Sequence, residues 1–144
     1  MSGSLSAYGA GKLVEEMFGA VAFTPPSSVY IALCTTTPTD SSTGSTIVET
    51  DYASYARTLV GTGNNQTDAF NAATGTTTKT VTNKNDVTFP AATGASTNPV
   101  VGVALVDAAT VGNVLCWASV TSTAIASGDT PKIAATTGLV IVLD

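Results

Sequence analysis

The segment VVGVALVDAATVGNVLCWASV, residues 100–120, decides the fold class of this chain. The apolar run Val100–Val106 has the length of a buried strand, and Val114–Val120 is a second run of the same kind. Residues 107–113 between them form a short loop that contains glycine, which is typical of a β-hairpin. The segment therefore predicts two antiparallel strands, with Trp117 in the middle of the second.

Further strands are predicted where short apolar or Thr/Val-rich runs stand between turn residues. These runs are Val29–Cys34, Tyr55–Val60, Thr78–Thr82, Asp86–Phe89, Pro131–Ala134 and Gly138–Leu143, and a short strand near Phe70 would be a ninth. Turn residues recur roughly every ten residues, and no segment supplies the crossover helices that a parallel sheet needs. We expect a mainly β fold, an antiparallel β-sandwich or jelly roll with one N-terminal α-helix, in a single domain over residues 1–144.

The one predicted helix runs from about Leu5 to Phe18. Ser4 or Ser6 can cap its start, and Gly19 suits its end. Its apolar residues recur at helical spacing on one face: Leu13, Val14, Met17, Phe18 and Val21. This face either closes an open end of the core or docks on a neighbouring protein. In the second case Leu13, Met17 and Phe18 are the candidate subunit or capsid contact.

The composition favours a structural protein over a catalyst. Of the 144 residues, 26 are threonine, which favours extended backbone, only 15 carry formal charge, and none is histidine. Without histidine, the chain lacks the commonest general base and the commonest metal ligand at neutral pH. We expect no enzymatic activity, and therefore no catalytic residue, no cofactor and no metal site.

The charge distribution argues against nucleic acid as a partner. The net charge is −5, and the five cations are scattered, whereas phosphate binding needs clustered Lys and Arg. The most apolar run, Leu139–Leu143, is far too short to span a bilayer, and the N-terminus lacks the pattern of a signal peptide. We expect no nucleic-acid partner and no membrane partner, and folding in a cytosol.

Several other patterns have plain structural interpretations. The segment Gly9–Lys12 lacks the first glycine and the final Ser/Thr of a phosphate-binding loop, so we interpret it as helix surface. Most aspartates fall in turns, where Asp usually bonds nearby backbone. Cys34 and Cys116 are expected as buried reduced thiols, with a disulfide between two strands as the alternative. Trp117 and Tyr55 could stack on a sugar, although a Trp inside an apolar strand is typical of a core.

A series of short motifs follows in order along nearly the whole chain. They are Met17-Phe18-Gly19, Ala22-Phe23-Thr24-Pro25-Pro26, Val29-Tyr30-Ile31-Ala32-Leu33, Thr37-Pro38-Thr39-Asp40, Tyr55-Ala56-Arg57, Val87-Thr88-Phe89-Pro90, Val106-Asp107-Ala108-Ala109-Thr110, Ser127-Gly128-Asp129-Thr130 and Leu143-Asp144. Their order and spacing resemble a family of small virion structural proteins of tailed bacteriophages. Small members of that family are often labelled tail fibre proteins, and some resemble capsid decoration (cement) proteins. The chain departs from the family pattern at Cys116, which precedes the aromatic Trp117.

The resemblance implies a non-enzymatic protein that assembles in the host cytoplasm and resides in the virion. An external capsid decoration or cement protein that stabilises the head is the leading interpretation. A tail fibre or tail-associated protein is the first alternative, and a carbohydrate-binding module is the second. The implied partners are other virion proteins, either the major capsid protein or tail proteins, together with further copies of the chain in a dimer or trimer.

Overall fold

The computed structural model of the chain describes residues 2–19, 22, 24–62 and 67–143. Within these residues it contains nine strands and one helix. In chain order they are β1 (Ser2–Leu5), α1 (Ala7–Phe18), β2 (Ser28–Cys34), β3 (Thr58–Thr62), β4 (Lys79–Thr82), β5 (Val87–Thr88), β6 (Val100–Val106), β7 (Val114–Thr123), β8 (Lys132–Ile133) and β9 (Val140–Leu143). All paired strands are antiparallel, so the expected mainly β fold with one N-terminal helix is confirmed.

Five strands form the main sheet in the order β1-β7-β6-β2-β3. The hairpin predicted from residues 100–120 lies at its centre, where Ala104 is opposite Trp117 and Leu105 is opposite Cys116. Because side chains alternate between the two faces of a strand, neighbouring residues of this hairpin contribute to different cores.

The larger core lies on the face of the main sheet that carries Leu105. Its buried residues are Val29, Ile31, Leu33, Tyr52, Val87, Phe89, Ala92, Val100, Val103, Leu105, Ile125 and Leu139. Two short ladders, β4–β9 and β5–β8, form a second layer and contribute Ile141 and Ile133 to the edge of this core. The second layer is thus two separate two-stranded ladders, whereas a typical sandwich has one continuous second sheet.

The smaller core lies on the opposite face of the main sheet. It consists of Ala32, Cys34, Ala104, Val106 and Val114, with Ile47 and Trp117 packed against it. Ala32 and Ala104 are opposite each other in the β2–β6 ladder. The small side chains of these alanines allow the loop that carries Ile47 to lie close to the sheet.

Asn83 joins the end of β4 to the segment before β9. Its side chain is fully buried, and its amide nitrogen donates to the carbonyls of Asn85 and Ala134, at 2.9 Å in each case. Its side-chain oxygen accepts from the Leu139 amide at 3.2 Å. Because every polar atom of this side chain has a partner, the cost of burying an amide is offset.

The structure corrects several expected boundaries, and β5, β8 and β9 are each shorter than the predicted runs. The helix begins at Ala7, because Leu5 belongs to the edge strand β1, which the sequence pattern did not predict. Strand β3 begins at Thr58 instead of Tyr55, and β7 continues to Thr123. Near Phe70 there is an isolated bridge to Asn83 and no strand in the described residues.

Candidate functional site

Helix α1 is fixed to the main sheet by its first turn. Ser6 is fully buried, and its hydroxyl accepts from the Gly9 amide at 3.0 Å, which is the N-cap bond that the sequence predicts. The Ser6 amide donates to the Leu115 carbonyl at 3.1 Å, and the Ala7 amide donates to the Asp40 carbonyl at 2.7 Å. Ser6 and Ala7 thus attach the start of the helix to β7 and to the Asp40 loop.

Gly9 permits the close approach of the helix to β7. A Cβ atom built on Gly9 would lie 2.1 Å from the Leu115 carbonyl oxygen, a distance that real Cβ atoms essentially never show. Gly11, in the same helix, has no atom within 4 Å of the equivalent position. Gly9 is therefore a packing requirement, whereas Gly11 is not.

The apolar side of α1 is exposed to solvent. Leu13, Val14, Met17 and Phe18, which we call the α1 face, are between 40% and 80% exposed, with Phe18 the most exposed. No residue of α1 is buried. The interpretation that this face closes an end of the core is therefore wrong. The structure brings Leu13, Met17 and Phe18 together with Val14 on one exposed surface, and Val21 lies outside the described residues.

Arg57 links two loops beside the main sheet. Its side chain is only 4% exposed and pairs with Glu49 through Nε at 3.0 Å and Nη2 at 2.7 Å. It also donates to the carbonyls of Gly44, at 2.6 Å, Ala108, at 3.1 Å, and Val111, at 2.8 Å. Val111 adopts a positive φ of 55°, which is strained for a β-branched residue. The guanidinium thus holds a strained hairpin loop against the Gly44 loop.

Tyr55 packs against the larger core and contacts Glu49, the carboxylate that also pairs with Arg57. Its hydroxyl donates to Glu49 at 2.6 Å and accepts from the Leu33 amide at 3.0 Å. Burial and the hydrogen bond to Glu49 raise the pKa of this hydroxyl. Tyr55 also makes an edge-to-face contact with Tyr52, with ring centroids 5.3 Å apart. These contacts give Tyr55 a structural role inside the fold.

Trp117 and Tyr55 do not share a surface. Trp117 packs against the smaller core and donates from Nε1 to Asp40 at 3.1 Å, whereas Tyr55 packs against the larger core on the other face of the sheet. The two rings therefore form no common platform for a sugar.

The two cysteines are unbonded. Cys34 belongs to the smaller core and Cys116 packs against the larger one, so they point to opposite faces of the sheet. Burial raises the pKa of each thiol to about 12. The prediction of two reduced thiols is thus confirmed, although Cys116 is only half-buried.

The aspartates accept hydrogen bonds within and between loops. Asp107 accepts from the Asn113 amide at 2.6 Å, and Asp129 accepts from the Ala126 amide at 2.8 Å, as expected for turn residues. In the described residues, no three acidic or cysteine side chains are grouped so that they could hold a metal ion. The same residues contain no helix long and apolar enough to cross a membrane.

A surface pocket lies beside the β4–β9 ladder and was not predicted from the sequence. Its volume is about 530 Å³, and it is open to solvent. We call it the β4–β9 pocket, and its walls are Thr67, Phe70, Asn71, Ala72, Val81, Lys84 and Ile141. Because these residues come from three separate segments, no local sequence motif marks the pocket.

Comparison with known proteins identifies the family. No curated protein matches the chain. The sequence model of the family described as Podophage GP4 fiber I protein gp80 matches residues 4–140, a range that includes α1, the central hairpin and Arg57. This match confirms the resemblance to virion structural proteins of tailed phages, and it extends over far more than half of the chain. The chain belongs to the podophage GP4 fiber I protein gp80 family.

Proposed function

We propose that the protein is a non-enzymatic structural subunit of a podophage tail fibre. The observation that carries this proposal is the family match over residues 4–140, because the family description names a fiber protein. That description supports the fibre interpretation, which the sequence analysis places second, better than it supports capsid decoration or cement.

The geometry of the chain is consistent with a role in assembly. The α1 face offers Leu13, Met17 and Phe18 to another protein, and methionine and aromatic residues are enriched in protein interfaces. The helix start is fixed by Ser6, so this face is presented in a defined direction. In our proposal the protein resides in the virion and binds further virion proteins, including copies of itself, through this face.

Immunogold labelling of intact virions tests the proposal. Antibodies raised against the purified chain should label the fibres, while antibodies against the major capsid protein, used as the matched control, label the head. Label confined to the head would contradict the fibre proposal and favour capsid decoration. Absence of the chain from purified virions, measured by mass spectrometry, would rule out both structural roles.

A further inference from the structure

We propose that the α1 face of one copy docks in the β4–β9 pocket of a second copy, so that the chain assembles head to tail. This inference deepens the proposed fibre function and rests on it. It assigns a partner to the exposed helix face and an occupant to the pocket.

Both surfaces carry exposed apolar side chains. At the end of α1, Met17 and Phe18 are 62% and 80% exposed, and we call these two side chains the knob. The pocket of about 530 Å³ is large enough for both side chains, and its walls include Phe70, Val81 and Ile141. Large apolar anchors that fill a pocket on the partner supply most of the binding energy in many interfaces.

The charges at the edges of the two surfaces are also complementary. Lys84 lies in the pocket wall, is exposed, and donates to the Thr67 carbonyl at 3.4 Å. Glu16 is exposed beside the α1 face and has no ion pair among the described residues. Docking of the knob would bring a cation and an anion to the rim of one contact. Such rim pairs mainly steer association and set its orientation.

An α1 helix that fills this pocket has to belong to another molecule. Helix α1 packs against β1 and β7, and in the described residues it has no contact with β4 or β9. A contact between two different surfaces of identical chains is heterologous, and repetition of it produces a ring or an open filament. The chain therefore carries both halves of a contact that can extend a fibre.

A mixing experiment with two variants tests the contact. Phe18→Ser removes the knob and keeps the pocket, whereas Ala72→Trp fills the pocket and keeps the knob. Both positions are exposed, so neither change should unfold the chain. By sedimentation equilibrium we expect concentration-dependent oligomers for the native chain, monomers for each variant alone, and one-to-one dimers in the mixture.

Other outcomes of this experiment overturn the inference. If the Ala72→Trp variant still self-associates, the helices pair with each other and not with the pocket. If the mixture stays monomeric, or if the native chain is monomeric at every concentration, the head-to-tail contact does not exist. Val48→Ser is the matched control for Phe18→Ser. It also replaces an exposed apolar side chain with serine, but outside both surfaces, and should leave oligomerisation unchanged.

A charge exchange provides a second measurement that does not depend on filling the pocket. Lys84→Glu should weaken association about tenfold, because it places a like charge opposite Glu16. The double variant Lys84→Glu with Glu16→Lys should restore association. If the double variant remains as weak as the single one, the two residues do not meet.

Virion labelling and the mixing experiment together distinguish a failure of this inference from a failure of the proposed function. Fibre label on virions without one-to-one dimers would retain the fibre role and reject the contact. One-to-one dimers with label on the head alone would retain the contact and reject the fibre role.

Discussion

Arg57 makes the densest set of polar contacts described in this protein. One guanidinium satisfies Glu49 and three backbone carbonyls from two different loops. Its planar shape and its several fixed donors allow this, and a lysine ammonium has neither. Because the side chain is almost fully buried, loss of a bond leaves a carbonyl or a carboxylate without its partner, which is costly.

We predict that Arg57→Lys lowers the free energy of unfolding by about 3 kcal/mol, because a lysine ammonium cannot replace all five guanidinium hydrogen bonds and so leaves backbone carbonyls without their partners. Urea denaturation followed by circular dichroism measures this change. The matched control is Lys132→Met, which removes the exposed Lys132–Asp86 pair, in which both side chains are about half exposed. That change should cost less than about 1 kcal/mol. Equal effects of the two substitutions would contradict the structural role of Arg57.

The two thiols predict a loss of stability at alkaline pH. Their pKa values lie near 12 in the folded chain, against 9.0 for an ordinary thiol, because burial disfavours the thiolate. Below pH 9.0 both states are protonated and the contribution of the thiols to stability is complete. As the pH rises from 9.0 toward 12, only the unfolded state ionises, and stability falls by up to about 1.4 kcal/mol per pH unit for each thiol.

Unfolding midpoints measured in reducing buffer across this pH range check the alkaline prediction. The double variant Cys34→Ala with Cys116→Ala should show a flatter decline with pH. Some decline should remain, because the pKa of Tyr55 is also raised by burial. An unchanged slope in the double variant would show that the thiols do not cause the loss.

At the scale of single elements, the strands with the most continuous apolar sequence could be predicted best. Val100–Val106 is observed as predicted, and Val29–Cys34 is extended by only one residue. Both lie inside the main sheet with apolar residues on two faces, so their pattern reflects burial directly. Strand β1 has the sequence Ser-Gly-Ser-Leu, which carries no such pattern. It forms because it pairs with the edge of β7, and such a long-range interaction cannot be read from the local sequence.

The candidate contact on α1 could be predicted only in part. Leu13, Met17 and Phe18 stand at helical spacing, so the sequence shows that they share one face. Periodicity does not show whether that face points to the core, and the structure answers this through the anchoring of Ser6 and Gly9. The Arg57 contacts and the β4–β9 pocket depend on residues far apart in the chain, which explains why the sequence did not reveal them.

We predict opposite effects of alanine at the two glycines within α1. Gly9→Ala should lower the free energy of unfolding by about 1–3 kcal/mol, because the new methyl group collides with the backbone of β7 at Leu115. Gly11→Ala should raise it by about 0.4–1 kcal/mol, because alanine favours the helix and has open space there. Thermal denaturation followed by circular dichroism measures both. Equal destabilisation by both changes would contradict the close packing of Gly9 against β7.

At the scale of the whole molecule, the larger core draws on both layers. Ile31 and Leu105 come from the main sheet, whereas Val87 comes from the β5–β8 ladder. The Asn83 side chain joins the end of β4 to Ala134, just after β8, and to Leu139, just before β9, so the two ladders are connected to each other. Two-stranded ladders are marginal in isolation, and these are expected to exist only while the main sheet is folded.

We therefore propose that residues 1–144 unfold as one cooperative unit. Calorimetry should show a single transition whose calorimetric and van't Hoff enthalpies agree, with an enthalpy of about 100 kcal/mol. The Arg57→Lys variant should move this transition to lower temperature without splitting it. Two resolved transitions would show that the ladders and the main sheet are separate units.

The attachment of α1 through its first turn has a mechanical consequence. A helix of 12 residues is about 18 Å long, so a rotation of about ten degrees at Ser6 would displace Phe18 by about 3 Å. The orientation of the whole face therefore depends on the few hydrogen bonds that Ser6 and Ala7 make. In a filament built through α1, the stiffness against bending would be governed by residues that never touch the adjoining subunit.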